Sequence, residues 1–330
     1  MFLTQSGGFI IKPISRLLGA ILSLLYRGLN AIGVESIGIA IILFTLIVRL
    51  IIFPLMYKQN RSSKIMSMIQ PEINKATKKY RGKTDQQSMM EVQRITKEIQ
   101  SKYGVSMTSG CLTSLIQLPI FLALYRVIQN IPAYVPKVYD MYKPIAVAIQ
   151  NNTKAQEALT TVTADAGKQV ALAMNSIDYN NTNTVIDVLA NFSEKMWNNL
   201  ANALGNTGDV VNAMFVNNNV DNINHVNNFF GLNLTEVPGF AFRAAIIIPI
   251  LSLIFQFLSM KVTNVQTSDD PTQQATMGTM KTMMYIMPIF SFFVCVNVPC
   301  GVGLYWAVGA FISFLSLIHI SEPTRPRLIS

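Results

Sequence analysis

Arg49 is the residue whose chemistry most needs an explanation. It is the one charge in an apolar run from Ile37 to Met56, and it lies nine residues before Lys58. At about 1.5 Å per residue this places it roughly 14 Å inside a helix that crosses a bilayer, near the midplane. A cation there costs at least about 2.5–3.5 kcal/mol, and from mid-span an arginine side chain falls short of the interface. No apolar segment of the chain carries an Asp or Glu that could neutralise it. Arg49 is therefore expected to face a water-filled cavity inside a helix bundle and to attract an anionic group that arrives from elsewhere. Thr45, Thr113, Ser114, Gln117, Ser252, Gln256, Ser291 and Asn297 are the polar residues that could line the same cavity. Each is also compatible with a local backbone hydrogen bond. Gln117 and Gln256 are the stronger candidates, because a buried primary amide is costly unless satisfied. Pro119, Pro249 and Pro288 interrupt apolar segments and are expected to kink them and free carbonyls.

Other chemistries leave no trace. The chain has no Walker loop, no GxGxxG after a strand, no HExxH and no nucleophile elbow, and its two histidines are His225 and His319. Cys111, Cys295 and Cys300 lie in or beside apolar segments without CxxC spacing, so they form no metal site. No catalytic residue, metal or cofactor is assigned, and the chain is read as neither an ATP-driven pump nor a hydrolase.

The elements that must position these residues follow from composition. Hydrophobic residues make up 51% of the 330 residues and charged residues 13%, against about 25% charged in soluble chains. The mean hydropathy is +0.36. This excludes an ordinary soluble globule, a disordered chain and a disulfide scaffold; the reading is an all-α polytopic membrane protein. The formal net charge of +9 is unevenly placed. Residues 57–104 hold 11 Lys and Arg against 4 acids, whereas 131–240 hold 5 Lys against 9 acids. Basic residues collect in cytoplasmic loops, so 57–109 is expected inside and 131–240 outside, and nucleic acid is not the expected partner.

Five spans result, at 37–56, 110–130, 241–260, 282–298 and 299–318. Asn297, Pro299, Gly301 and Gly303 are expected to supply the turn between the last two. Residues 57–109 are predicted to form a basic helical hairpin joined at Arg81-Gly82-Lys83, its second helix opened by a Thr84/Gln87 capping box. Residues 261–281 form a second cytoplasmic loop. The insertion at 131–240 is Asn-rich (Asn217-Asn218-Asn219, Asn227-Asn228), with one amphipathic helix expected near 184–204. Within 1–36, residues 10–30 read as an interfacial amphipathic helix. Lys12, Ser15, Arg16, Gly19, Ser23, Tyr26 and Arg27 fall on one side, and Ile14, Leu17, Leu18, Ile21, Leu24 and Leu25 on the other; a sixth, weakly hydrophobic span is the competing reading. The start of the chain lacks the basic region and cleavage site of a secretory signal. Of the 17 methionines, Met66, Met68, Met89, Met90 and Met107 lie in the basic hairpin region and Met277, Met280, Met283, Met284 and Met287 at the entry to the fourth span, either as core filling or as an adaptable apolar surface. Residues 315–330 are read as foreign: LSLIHISEPTR matches one reading frame of a sequencing adapter, so the natural chain is expected to end near Phe314.

Several motifs stand in a fixed order: Val48-Arg49-Leu50 with Phe53-Pro54-Leu55, Gln70-Pro71-Glu72, Lys79-Tyr80, Gly110-Cys111-Leu112, Gln117-Leu118-Pro119-Ile120-Phe121 and Ala123-Leu124-Tyr125. Phe230-Gly231-Leu232-Asn233-Leu234, Met287-Pro288 and Pro299 through Trp306 complete the set. In this order and spacing they resemble the YidC family of membrane protein insertases (the YidC/Oxa/Albino superfamily), in its five-span Gram-positive form. Ser106-Met107 replaces the family's Asn-Pro, and Pro299-Cys300-Gly301 replaces Pro-Ala-Gly. The resemblance implies five spans around a hydrophilic groove open to the cytoplasm and to lipid. Arg49 and Gln117 match groove positions; Thr45, Gln256 and Trp306 are assigned to the same substrate-binding groove, and Lys64, Lys75, Lys78, Lys79 and Arg81 to substrate recruitment. The implied activity is insertion and folding of new membrane proteins in the bacterial cell membrane without ATP, alone or with the Sec translocon. The implied partners are nascent membrane proteins, the translocon, the ribosome and membrane lipid, with the N-terminus outside and the C-terminus cytoplasmic. The alternative is an anion or solute transporter with Arg49 as its substrate site. Such folds usually carry internal repeats, and no second copy of the Arg49 segment exists.

Overall fold

A computed structural model describes residues 11–321 except 81, 84, 106–107, 165–169, 171–172, 176, 207–219, 241–242 and 264–284. Side chains are described outside 108–118, 205–206 and 319–321 as well. The architecture is helical, as composition requires, with a single two-stranded hairpin among the described residues. Two compact units emerge, one of Met1–Thr45, Pro119–Ile248 and Cys295–Tyr305, the other of Leu46–Leu118, Pro249–Val294 and Trp306–Ser330.

Helix α1, Ile11–Ala31, ends in a Schellman motif: Val34 N–H reaches the Leu29 carbonyl at 2.9 Å, and Gly33 supplies the left-handed residue at φ 80°. The expected polar sector of this helix is divided. Ser15, Gly19, Ser23 and Tyr26 are buried together with Leu18 and Leu22, while Lys12, Arg16 and Arg27 stay exposed beside Leu17 and Leu24. Small residues let another helix approach closely; a Cβ at Gly19 would overlap the Tyr134 ring. The small face is a packing face rather than a solvent face.

Helix α2 runs unbroken from Ile37 to Thr77, 41 residues, through Pro54 and Pro71. At about 1.5 Å per residue it is about twice the hydrocarbon thickness. The first span and the first arm of the basic hairpin are thus one helix, not two. A 3-10 turn, Lys78–Tyr80, and Gly82 at φ 77° lead to α3, Gln86–Lys102. The capping box predicted at Thr84/Gln87 is replaced by Asp85, whose carboxylate accepts from Ser88 N–H at 2.9 Å. An ionised Asp both caps and complements the helix dipole, which Thr cannot. Thr84 itself lies outside the described residues. Gly104, at φ 65°, closes α3 with a Schellman motif that folds Val105 onto Ile69 and Ile73; Ile65, Met66, Ile99 and Tyr103 pack around them.

Helix α4, Thr108–Gln129, passes through Pro119 without a break. The insertion proves to be helical: α5 Ile131–Tyr134, α6 Pro136–Gln150, α7 Thr153–Thr163, α8 Thr182–Leu189, α9 Glu194–Asn206 and α10 at 220–227. The single helix expected near 184–204 is two, because the chain breaks at 190–193 and restarts with the Ser193 carbonyl accepting from Trp197 N–H. Asparagine has a structural use here. Asn152 caps α7, taking N–H bonds from Lys154 and Ala155, and Asn181 caps α8 through Asn183 N–H. The Asn217-Asn218-Asn219 run lies outside the described residues. Tyr142, Phe192 and Trp197 form an aromatic centre.

Strands β1, Asn228–Phe229, and β2, Leu232–Asn233, follow, then α11, Ile247–Thr263, α12, Tyr285–Cys295, and α13, Cys300–Ser321. The turn expected between the last two spans occupies 296–299. Gly301 and Gly303 do not belong to it; they lie in the first turn of α13, where added side chains would press on Ile128, Ile41 and Ile248. Among the described residues, three helices are long and apolar enough to cross a membrane, at Ile37–Tyr80, Ala244–Val262 and Cys300–Ile318. Pro119–Gln129 and Tyr285–Cys295 are shorter apolar helices.

Candidate functional site

Arg49 is half-buried on α2 and its guanidinium lies against α13. Nη1 donates to Ser313 Oγ at 3.2 Å and approaches Met56 Sδ at 3.6 Å. The Ser313 hydroxyl in turn donates to the Gly309 carbonyl at 2.8 Å, so it accepts from Arg49 while held by its own helix. Gly309 leaves the space the guanidinium occupies; a Cβ there would stand 3.0 Å from Cζ and closer still to the terminal nitrogen. Nε is buried with no hydrogen-bond partner among the described residues. No carboxylate pairs with Arg49 among the described residues. Among the described residues, the arginine is held by neutral groups alone.

The remaining groove candidates are placed as follows. Thr45 is fully buried and donates to the Ile41 carbonyl one turn back, at 2.6 Å. Gln256 folds onto its own helix, its amide donating to Ser252 Oγ at 2.9 Å and to the Ser252 carbonyl at 3.2 Å. Both make the local hydrogen bonds that were the competing reading of these residues. Gln117 lies on α4, but its side chain is outside the described residues. Trp306 is half-buried and precedes Gly309 and Ser313 at the spacing that puts all three on one face of α13. Phe255 packs against Phe311 at 4.9 Å and Phe314 at 6.4 Å, joining α11 to α13. Gly309 and Ser313 escaped the sequence reading. Their signal was the small residue repeated after four positions, a common helix-packing pattern.

On the basic hairpin, Lys75, Lys78 and Lys79 are exposed and Lys64 is half-buried; Arg81 lies outside the described residues. Lys79 Nζ sits over the Tyr80 ring, 4.8 Å from its centroid. The two arms are latched at Glu72, which accepts from Tyr103 OH at 2.6 Å and from Lys102 Nζ at 3.2 Å. Those hydrogen bonds, Tyr103's first, hold the Glu72 carboxyl below its ordinary range. Of the methionines, Met66 packs against the hairpin core while Met68, Met89 and Met90 are exposed.

Long apolar helices, a mid-span arginine held by neutral groups among the described residues and a charged hairpin carried on the extension of one of those helices define a multi-pass membrane protein. The chain belongs to the YidC family: the profile described as "60Kd inner membrane protein" matches residues 29–326. It is 45% identical over 105 residues to the membrane protein insertase YidC of Oceanobacillus iheyensis, covering 31% of this chain and 41% of that protein. It is 42% identical over 99 residues to the membrane protein insertase MisCA of Bacillus subtilis, covering 30% and 38%. A longer match, 25% identical over 290 residues, covers 88% of this chain and 68% of the membrane protein insertase YidC 1 of Streptococcus pyogenes. In the first two matches the chain spans less than half of the relative's length.

Proposed function

We propose that the chain inserts newly made membrane proteins into the bacterial cell membrane and helps them fold, as the printed names of its relatives suggest. The observation that carries this reading is Arg49, a cation held inside an apolar helix pair by Ser313, Met56 and the gap at Gly309, with no carboxylate partner among the described residues. In the proposed arrangement five spans enclose a hydrated groove, and Arg49 transiently holds an acidic residue of the segment being translocated. Hydration spares that polar segment part of its desolvation cost. The apolar segment then moves sideways into lipid, driven by burial of about 25 cal/mol per Å², so the step needs no ATP. Lys64, Lys75, Lys78, Lys79 and Arg81 recruit the substrate on the cytoplasmic side, with the Sec translocon and the ribosome as further partners. Gln117, Thr45, Gln256 and Trp306 belong to the same groove, with the N-terminus outside.

The test is reconstitution into liposomes and insertion of a single-span protein with an acidic translocated tail. The parent and Arg49→Lys should insert it, and Arg49→Ala should not. Insertion unchanged by Arg49→Ala removes the charge from the mechanism; a folded parent that inserts nothing removes the function.

A further inference from the structure

Phe230 stands at the tip of the β1–β2 hairpin, whose register pairs Asn228 with Asn233 and Phe229 with Leu232. The two-residue turn is Phe230-Gly231, with φ 50° and 79°. A turn with both residues at positive φ ordinarily uses Asn-Gly, and a bulky aromatic there is a backbone outlier. Asn228 tightens the turn by accepting from Gly231 N–H at 2.8 Å. The chain thus holds a phenyl ring in a disfavoured conformation and leaves it 91% exposed. No charge occurs from Phe229 to Thr235.

The hairpin rests on the ends of apolar helices. The Phe229 ring fills the space above Gly38 in the first turn of α2. Strand β2 packs against Ala244–Ile246, the turn that opens α11. Just beyond, Gly301 N–H donates to the Leu234 carbonyl at 2.9 Å, Cys300 N–H to Glu236 at 2.8 Å, and Gly239 N–H to Val296 at 2.9 Å. Segment 228–239 is therefore a collar across the helix ends on the side of the 131–240 insertion. Further exposed apolar residues flank it: Ile32 before α2, Phe240, and Ile247 in the first turn of α11. From Ile247 the exposure continues along α11 through Ile250, Leu251 and Ile254. The hairpin that carries Phe230 thus packs on the turn from which this exposed apolar stripe of α11 begins.

We propose that Phe230 is a lipid anchor, its ring seated among the acyl chains of the leaflet on the insertion side. The inference rests on α2, α11 and α13 crossing the membrane. An aromatic ring at a membrane–water boundary buries its apolar body at little conformational cost, and that burial offsets the strained turn.

The experiment uses the full chain in liposomes with three variants, Phe230→Trp, Ile254→Trp and Glu157→Trp, the last on an exposed position of α7. The emission added by Phe230→Trp should be blue-shifted, largely lost with lipids brominated near the headgroup end of the acyl chain, and insensitive to aqueous iodide. Glu157→Trp should behave in the opposite way. If Phe230→Trp is quenched by iodide and not by brominated lipid while Ile254→Trp is quenched by brominated lipid, Phe230 stands in water or meets a protein, and the anchor is refuted. If Ile254→Trp also escapes brominated lipid, the crossing itself fails, and the anchor with it. The unmodified protein offers a second readout: a lipid-soluble carbene precursor should label the peptide containing Phe230, and absence of that label overturns the proposal.

Discussion

Arg49 was legible because a single charge in an apolar run has no other way to be tolerated than by facing water, a partner or a shaped polar niche. What holds it was not legible, since glycine and serine are ordinary residues in packed membrane helices. Gly309 gives the guanidinium its room, and Ser313 gives it an acceptor. On the proposed mechanism, Gly309→Val should displace the guanidinium and lower insertion several-fold, towards the level of Arg49→Ala. Adding Gly309→Val to Arg49→Ala should then lower it no further, because the two changes act on one interaction. Independent, multiplying losses in the reconstituted assay would show that Gly309 serves helix packing instead. Ser313→Ala removes one hydrogen bond to a charged group, a loss of about 1.5–3 kcal/mol, and should weaken insertion less than Gly309→Val does.

The elements divide by how local their determinants are. The apolar segments and the basic hairpin could be placed from composition alone. The continuity of α2 through Pro54 and Pro71 could not, because a proline forecasts a break that neighbouring packing can override. The start of α3 depended on which of two adjacent capping residues wins, and the charged one did. The hairpin's two arms meet through a small apolar core and the Glu72 latch, so their pairing should depend on pH. Glu72 is held below its ordinary range by Tyr103 and Lys102, hence its contribution is complete above that range and is lost as pH falls through the lowered folded value. At the alkaline end Lys102 and Tyr103 are both raised by Glu72, so their contributions are present below their ordinary values and are lost as pH rises through the raised ones. Protection of amides 100–105, measured against their intrinsic exchange rate at each pH, should fall on acidification. Glu72→Gln, which keeps an acceptor for Tyr103 but no charge, should flatten that acid limb. Gly104→Ala, forced into a left-handed backbone, should cost about 1–2 kcal/mol and speed the same amides at every pH; equal rates in the variant and the parent would dismiss the Schellman cap as a determinant.

At the scale of the whole molecule, charge asymmetry and motif order gave the class and the family, both of which depend on composition along the chain. The organisation of the insertion depends instead on contacts between residues far apart in sequence, and short Asn-capped helices carry little hydropathy signal of their own. Its centre is Trp197, which is 2% exposed and packs 5.1 Å from the Phe192 ring and 6.3 Å from the Tyr142 ring. Asn227 donates to the Tyr142 hydroxyl at 3.3 Å, and burial pushes that phenol up to about 12. The stabilisation from a neutral Tyr142 is therefore full below the ordinary value of 10.0 and is lost as pH climbs to about 12. Trp197→Ala leaves a cavity costing about 3–5 kcal/mol, comparable with the whole stability of a small domain. In proteoliposomes, protease added on the insertion side should cut the variant within 150–206 far faster than the parent, while the apolar helices α2 and α13 stay protected in both. The same cleavage should appear in the parent only when pH approaches the Tyr142 value. Parent and variant cut at equal rates near neutral pH would mean that the insertion is not held by this aromatic centre. Its helices would then be ordered by something outside the chain.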